Sequence, residues 1–125
     1  MATFERLKIV MIGSDEMLKY LVDRYAQHGG YEVITLQSAL PYQQICDLHP
    51  LAVLFPSIQG LERSQTLVAE LVNCEIPIIV CSSVADTARA RELGADQCLA
   101  HPLTYEDFSL AMAATETRGA TGGRV

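Results

Sequence analysis

Four cysteines, three histidines and a few serines are, beside the carboxylates, the side chains of this chain with the chemistry of nucleophiles, bases or metal ligands. Cys46, Cys74, Cys81 and Cys98 lie far apart, with no C-x-x-C pair and no adjoining histidine set. They match neither a zinc site nor a dithiol motif, and they read as buried thiols. A reactive thiolate needs cationic neighbours, yet Cys81 is followed by Ser82, Ser83 and Val84. A phosphatase-type loop would place an arginine six residues on, where Thr87 stands. His28 precedes Gly29-Gly30 and His49 precedes Pro50, positions that close helices, where an imidazole suits the negative end. His101, before Pro102, has the chemistry of a pH sensor or a weak phosphate contact, but no second ionisable group stands beside it. Ser57 has no base to activate it and reads as a turn residue. No acid, base and nucleophile set emerges, so no catalytic residue, metal ligand or cofactor is expected.

The elements that must position these side chains follow a regular order. The run from Leu7 to Ile12 is apolar except for Lys8, as in a strand covered on both faces. Ser14 offers an N-cap oxygen, Asp15 and Glu16 suit a positive helix end, and Leu18, Leu21, Val22 and Tyr25 fall at helical spacing before the Gly29-Gly30 stop. A second strand, Tyr31 to Leu36, leads to a weaker helical stretch from about Pro41 to Leu48. Leu51 to Phe55 is the third strand, ended by Pro56, which cannot donate to a ladder. After Gly60, the positions Leu67, Val68, Leu71 and Val72 mark a helix, and Ile76 to Cys81 is the fourth strand. Ser83 with Asp86 and Thr104 with Asp107 have capping-box spacing. Between them the sequence predicts a helix from about Ala85 to Leu93, the Gly94 stop and a fifth strand near Gln97 to Ala100. Five strands alternating with five helices imply an α/β fold, a doubly wound parallel sheet with right-handed crossovers and helices on both faces.

Length and composition bound the rest. Half of the 125 residues are apolar, which suits one core without disulfides or a structural metal. A net charge of −6, with lysines only at Lys8 and Lys19, argues against a nucleic-acid footprint. No apolar run has the length of a signal peptide or the roughly 20 residues of a membrane span, so a cytoplasmic protein without membrane partners is expected. From Thr115 the composition turns to Thr, Gly, Ala and Arg. The sequence therefore predicts a domain over 1–114, with 115–125 as a flexible tail or the start of a linker.

With the elements in this order, Leu7 to Asp15, Pro50 to Phe55, Pro77 to Ser83 and the run LGADQCLAHPL from Leu93 to Leu103 resemble the receiver domain of bacterial response regulators. The resemblance covers roughly Lys8 to Met112 and implies the flavodoxin-like strand order 2-1-3-4-5. Receivers pass a phosphoryl group from a phosphohistidine to an aspartate. An acid pair holds Mg²⁺, the aspartate attacks, and a hydroxyl and a lysine stabilise the transferring charge. In this sequence the resemblance puts the acid pair at Gly13 and Ser14, the phosphoacceptor at Pro56, the hydroxyl at Ser82 and the lysine at His101. Of these only the Ser82 hydroxyl is kept. Asp15 matches a third acid that some receivers have, and the aromatic that reports activation falls on Cys98. The loops after Pro56 and after Ser82 are also short for the family. The chain is thus expected to be a pseudo-receiver.

Two functional expectations follow. In the first, a non-catalytic signalling domain binds a protein partner, whether a signalling protein, a kinase or an output domain, or associates with itself. The surface implied by the resemblance is the fourth helix, fifth strand and fifth helix, about Ala85 to Met112, with Arg91, Gln97, Cys98, Tyr105 and Phe108 as candidate contacts. In the second, the crevice at the strand ends, near Gly13, Ser14, Pro56, Ser82 and His101, binds a small ligand or cofactor or supports an atypical enzyme. No Gly-rich phosphate loop follows the first strand to support that alternative.

Overall fold

The computed structural model describes residues 7–13, 15–37 and 42–122, with the side chains from 117 onward left aside. Five parallel strands form one sheet: β1 (Leu7–Ile12), β2 (Tyr31–Leu36), β3 (Ala52–Phe55), β4 (Ile78–Ser82) and β5 (Gln97–Ala100). Their spatial order is β2-β1-β3-β4-β5, the flavodoxin-like order expected. Ala52 to Phe55 and Ile78 to Ser82 are buried throughout, which is why these strands read as continuous apolar runs.

Successive strand residues point to opposite faces and build two cores. On one face Ile9, Met11, Leu54, Ile79 and Leu99 meet α1 (Glu16–Gly29) and α6 (Tyr105–Gly122) through Leu18, Val22, Phe108 and Met112. On the other, Val10, Val53, Phe55, Ile78 and Val80 meet α2 (Tyr42–Asp47), α3 (Ile58–Arg63), α4 (Gln65–Asn73) and α5 (Thr87–Glu92) through Ile45, Leu61, Val68, Leu71 and Ala90.

Several local expectations need correction. Asp15, not Ser14, caps α1: its Oδ1 accepts from Leu18 N at 3.0 Å, the third helical residue that an N-cap oxygen reaches. Ser14 itself lies outside the described residues. The single helix expected after Gly60 is two. Ser57 starts α3 by accepting from Gly60 N at 3.1 Å, and Ser64 separates α3 from α4. Ser83 and Thr104 do cap, receiving Ala85 N and Asp107 N at 3.1 Å, but Ser83 opens a 3₁₀ turn, Val84–Asp86, ahead of α5. The total is six α-helices among the described residues, not five.

The composition change at Thr115 does not end the last helix. α6 runs on to Gly122, and Thr115 is only 1% exposed. Its hydroxyl donates to Ala111 O at 2.8 Å and receives Gln97 Nε2 at 3.0 Å, while Glu116 accepts from the Tyr31 hydroxyl of β2. These tertiary bonds hold a helix that its Thr, Gly and Ala content alone would not sustain. Residues 123–125 lie outside the described residues.

Candidate functional site: the carboxyl ends of the strands

The parallel sheet delivers Gly13, Pro56, Ser82 and His101 to one edge, because each follows or closes a strand at the same end. Gly13 N donates to Leu36 O at 2.9 Å and His101 N to Ser82 O at 3.1 Å, so the outer strands stay tied at this end. The four positions singled out from sequence therefore do come together, with Asp15 one turn away at the head of α1.

Gly13 and Pro56 are closely packed at the centre of that edge. Pro56 is buried, and its ring lies against Gly13. Gly13 has φ of 124°, and a Cβ built there would stand 3.0 Å from Pro56 Cγ and 3.3 Å from Cδ. A side chain at position 13 thus meets a strained backbone and a Pro56 ring that must give by a few tenths of an ångström. Pro56 offers no nucleophile in return.

Ser82 is nearly buried, and its Oγ donates to Asp86 Oδ2 at 2.6 Å. Capping-box spacing suggested a role for Asp86 at the helix start. The carboxylate turns instead into the site and occupies the hydroxyl. A negative group bonded there disfavours a second anion on the same oxygen. The signal for this contact was the four-residue separation of Ser82 and Asp86 across a tight turn.

The remaining groups are also committed. Asp15 Oδ1 caps α1. His101 is exposed and joined to Pro102 by a cis peptide bond. It borders an open, mainly apolar cleft of about 410 Å³, lined also by Asp15, Met17, Leu18, Leu21 and Leu103. Cys81 is buried, and its thiol is pushed up to about 12 by burial first and then by Cys98 and Asp15. It stays protonated and inert at neutral pH. Among the described residues no three His, Cys, Asp or Glu side chains gather as a metal site.

The five expected contact residues do not form one patch. Phe108 is 1% exposed and packs against Tyr25 and Tyr31, so it belongs to the core rather than to a surface. Gln97 bends inward, donating to Ala111 O and Thr115 Oγ1. Tyr105 is exposed but faces α1, edge-on to Tyr25 at 5.6 Å and His28 at 5.8 Å. Arg91 is exposed on α5 and Cys98 is half-buried on β5. Sequence reasoning missed Val84 and Leu110, 74% and 65% exposed. Val84 lies in the turn packed beside β5, and Leu110 lines a groove of about 330 Å³ with Cys98, Ala100, Asp107 and Ala111. Isolated exposed apolar residues give no periodic signal in a sequence.

No protein-family model matches the sequence, and no curated protein does. Solved structures do match. A Vibrio cholerae chemotaxis protein superimposes with a TM-score of 0.71 at 15% identity, over 89% of this chain and 99% of that one. A response regulator receiver domain protein from Clostridium thermocellum gives 0.73 at 18%, over 91% and 97%. The fold is that of a receiver domain. A third receiver, from a receiver-modulated diguanylate cyclase of Pelobacter carbinolicus, gives 0.70 at 18%, over 95% and 99%. At these identities the likeness is one of fold, and the site of this receiver-fold chain is read from its own residues.

Proposed function

We propose that this receiver-fold domain signals by binding a protein partner and does not take part in aspartate phosphorelay. The observation that carries the reading is the Pro56 ring packed on Gly13, which removes the acceptor and crowds the acid position together. The Ser82 to Asp86 bond supports it, since the last phosphate-binding group already has an anionic partner. In this reading the domain is not an enzyme.

The partner is a signalling protein, a kinase, an output domain or a second copy of the chain. The face that suits it is β5 with its flanks, where Leu110 is exposed on the Cys98 groove, Val84 in the turn beside β5 and Arg91 on α5. Apolar anchors with a charged rim are the usual make-up of such a contact. The diguanylate cyclase relative, described as modulated by its receiver, illustrates an output domain as the partner class. No helix of the described residues is long and apolar enough to cross a membrane, and the proposal sets the domain in the cytoplasm.

Incubation with acetyl phosphate and Mg²⁺, followed by intact mass measurement, tests the chemical half. The expected result is an unchanged mass. A stoichiometric phosphoryl adduct would overturn it. Sedimentation and pull-down with Leu110→Asp and Val84→Asp test the interaction half: both variants should keep the fold and lose the partner.

A further inference from the structure

β5 is the last strand of the sheet, with β4 on one side and no strand of the described residues on the other. The alternation of its backbone decides which polar groups are left over. Gln97 pairs in register with Ile79 and Ala100 with Ser82, and His101 N donates to Ser82 O at 3.1 Å. Gln97, Leu99 and His101 therefore turn their N–H and C=O groups toward β4, while those of Cys98 and Ala100 point outward. All four β5 residues line the groove of about 330 Å³ that Asp107, Leu110 and Ala111 border from α6. Leu110 is exposed on that side, and Val84 is exposed in the turn beside β5 that leads into α5. An unpaired edge between two exposed apolar side chains is a template for another strand. The opposite edge of the sheet is blunted by the exposed Glu32 of β2, whereas β5 carries no charged residue.

We infer that the β5 edge binds an extended, basic segment of a partner protein by strand addition, an inference that rests on the partner-binding function proposed for this domain. The outward N–H and C=O groups of Cys98 and Ala100 supply the main-chain bonds. Side chains of an added strand alternate between the two faces of the sheet, so successive ones reach Leu110 on the α6 side and Val84 on the α5 side. Both of those positions in the segment are apolar. Asp107 precedes Leu110 by one helical turn and shares its face of α6. The side chain two residues from the Leu110 contact therefore meets a carboxylate, and a Lys or Arg suits that place. Charge also decides between a foreign segment and a second copy. Pairing two β5 edges would bring a second Asp107 to the groove and set two chains of net charge −6 against each other.

The full chain, isotope-labelled, is titrated with the capped pentapeptide Lys-Val-Val-Val-Lys, whose pattern reads the same in either strand direction, and followed by backbone NMR and amide exchange. Saturable shifts along β5 are expected, with slowed exchange of the Cys98 and Ala100 amides. Asp107→Asn should weaken binding about 2–5-fold, the share of one exposed ion pair, and the peptide Glu-Val-Val-Val-Glu should bind more weakly still. No saturable shift at millimolar peptide, or equal binding of the two peptides, would overturn the inference. So would protection of the same amides without peptide that grows with protein concentration, which assigns the edge to a second copy. Partner loss in Leu110→Asp and Val84→Asp, with the Cys98 and Ala100 amides untouched by the peptide, would sink strand addition and leave the face as a partner surface. Protected amides with no partner lost would uphold the edge and count against the proposed function instead.

Discussion

Replacing Gly13 by alanine probes its packing against Pro56. Gly13 has φ of 124°, and the new Cβ would stand 3.0 Å from Pro56 Cγ and 3.3 Å from Cδ. Two penalties add. Holding an L-residue at positive φ costs about 1–2 kcal/mol, and crowding a buried ring costs about 1 kcal/mol, the low end for overpacking. Gly13→Ala should therefore lose about 2–3 kcal/mol, a fall of roughly 7–10 °C in the thermal midpoint of a domain this size. Only the second penalty depends on the ring. In a Pro56→Ala background the Cγ contact is gone, and Gly13→Ala should cost only the backbone share, about 1–2 kcal/mol. Urea unfolding of the four proteins gives the coupling directly, with about 1 kcal/mol expected. Additivity within about 0.3 kcal/mol would mean that the ring does not press on Gly13, and that the acid position is open after all.

Further outcomes can be checked on the same protein. Asp86→Ala should cost about 1–2 kcal/mol in urea unfolding, since it leaves the nearly buried Ser82 hydroxyl without its partner, whereas Ser82→Ala should cost less because Asp86 is half-buried and can turn to water. The Cys81 thiol is raised from an ordinary value of 9.0 to about 12, so its contribution is complete below pH 9 and is lost as the pH climbs toward 12. Stability should fall by about 1.4 kcal/mol per pH unit across that window from this group, and Cys81→Ala should flatten the slope by that amount. Tyr31→Phe removes the bond to Glu116 and should speed amide hydrogen exchange in the last turns of α6, with a change of about 1 kcal/mol.

The strands are legible in the sequence because the central ones are buried on both faces, and their apolar runs admit little else. The gathering of the strand-end residues is legible for the same reason: once Phe55 and Ser82 close their strands, Pro56, Gly13 and His101 fall at one edge by topology. The Ser82 to Asp86 bond is only half legible: the four-residue separation allows it, but Ser83 is an equally near partner in sequence, and rotamer and 3₁₀ geometry decide between them. The resemblance implies Phe108 and Gln97 as contacts but does not say what covers them; Tyr25 and Tyr31 pack on Phe108, and Ala111 and Thr115 accept from Gln97. The start of the last helix is legible from Thr104 and Asp107, but its run past Thr115 is not, because that stretch is held by distant partners, Gln97 and Tyr31, rather than by its own composition.

The most direct test of a closed phosphoryl site is a backbone NMR titration with Mg²⁺ and beryllofluoride, which mimics an acyl phosphate without needing turnover. Amides flanking Gly13, Pro56, Ser82 and His101 should stay in place at saturating reagent, and so should those of β5. Saturable shifts centred on Ser82 and spreading to Cys98 would contradict a site closed by Pro56 and Asp86.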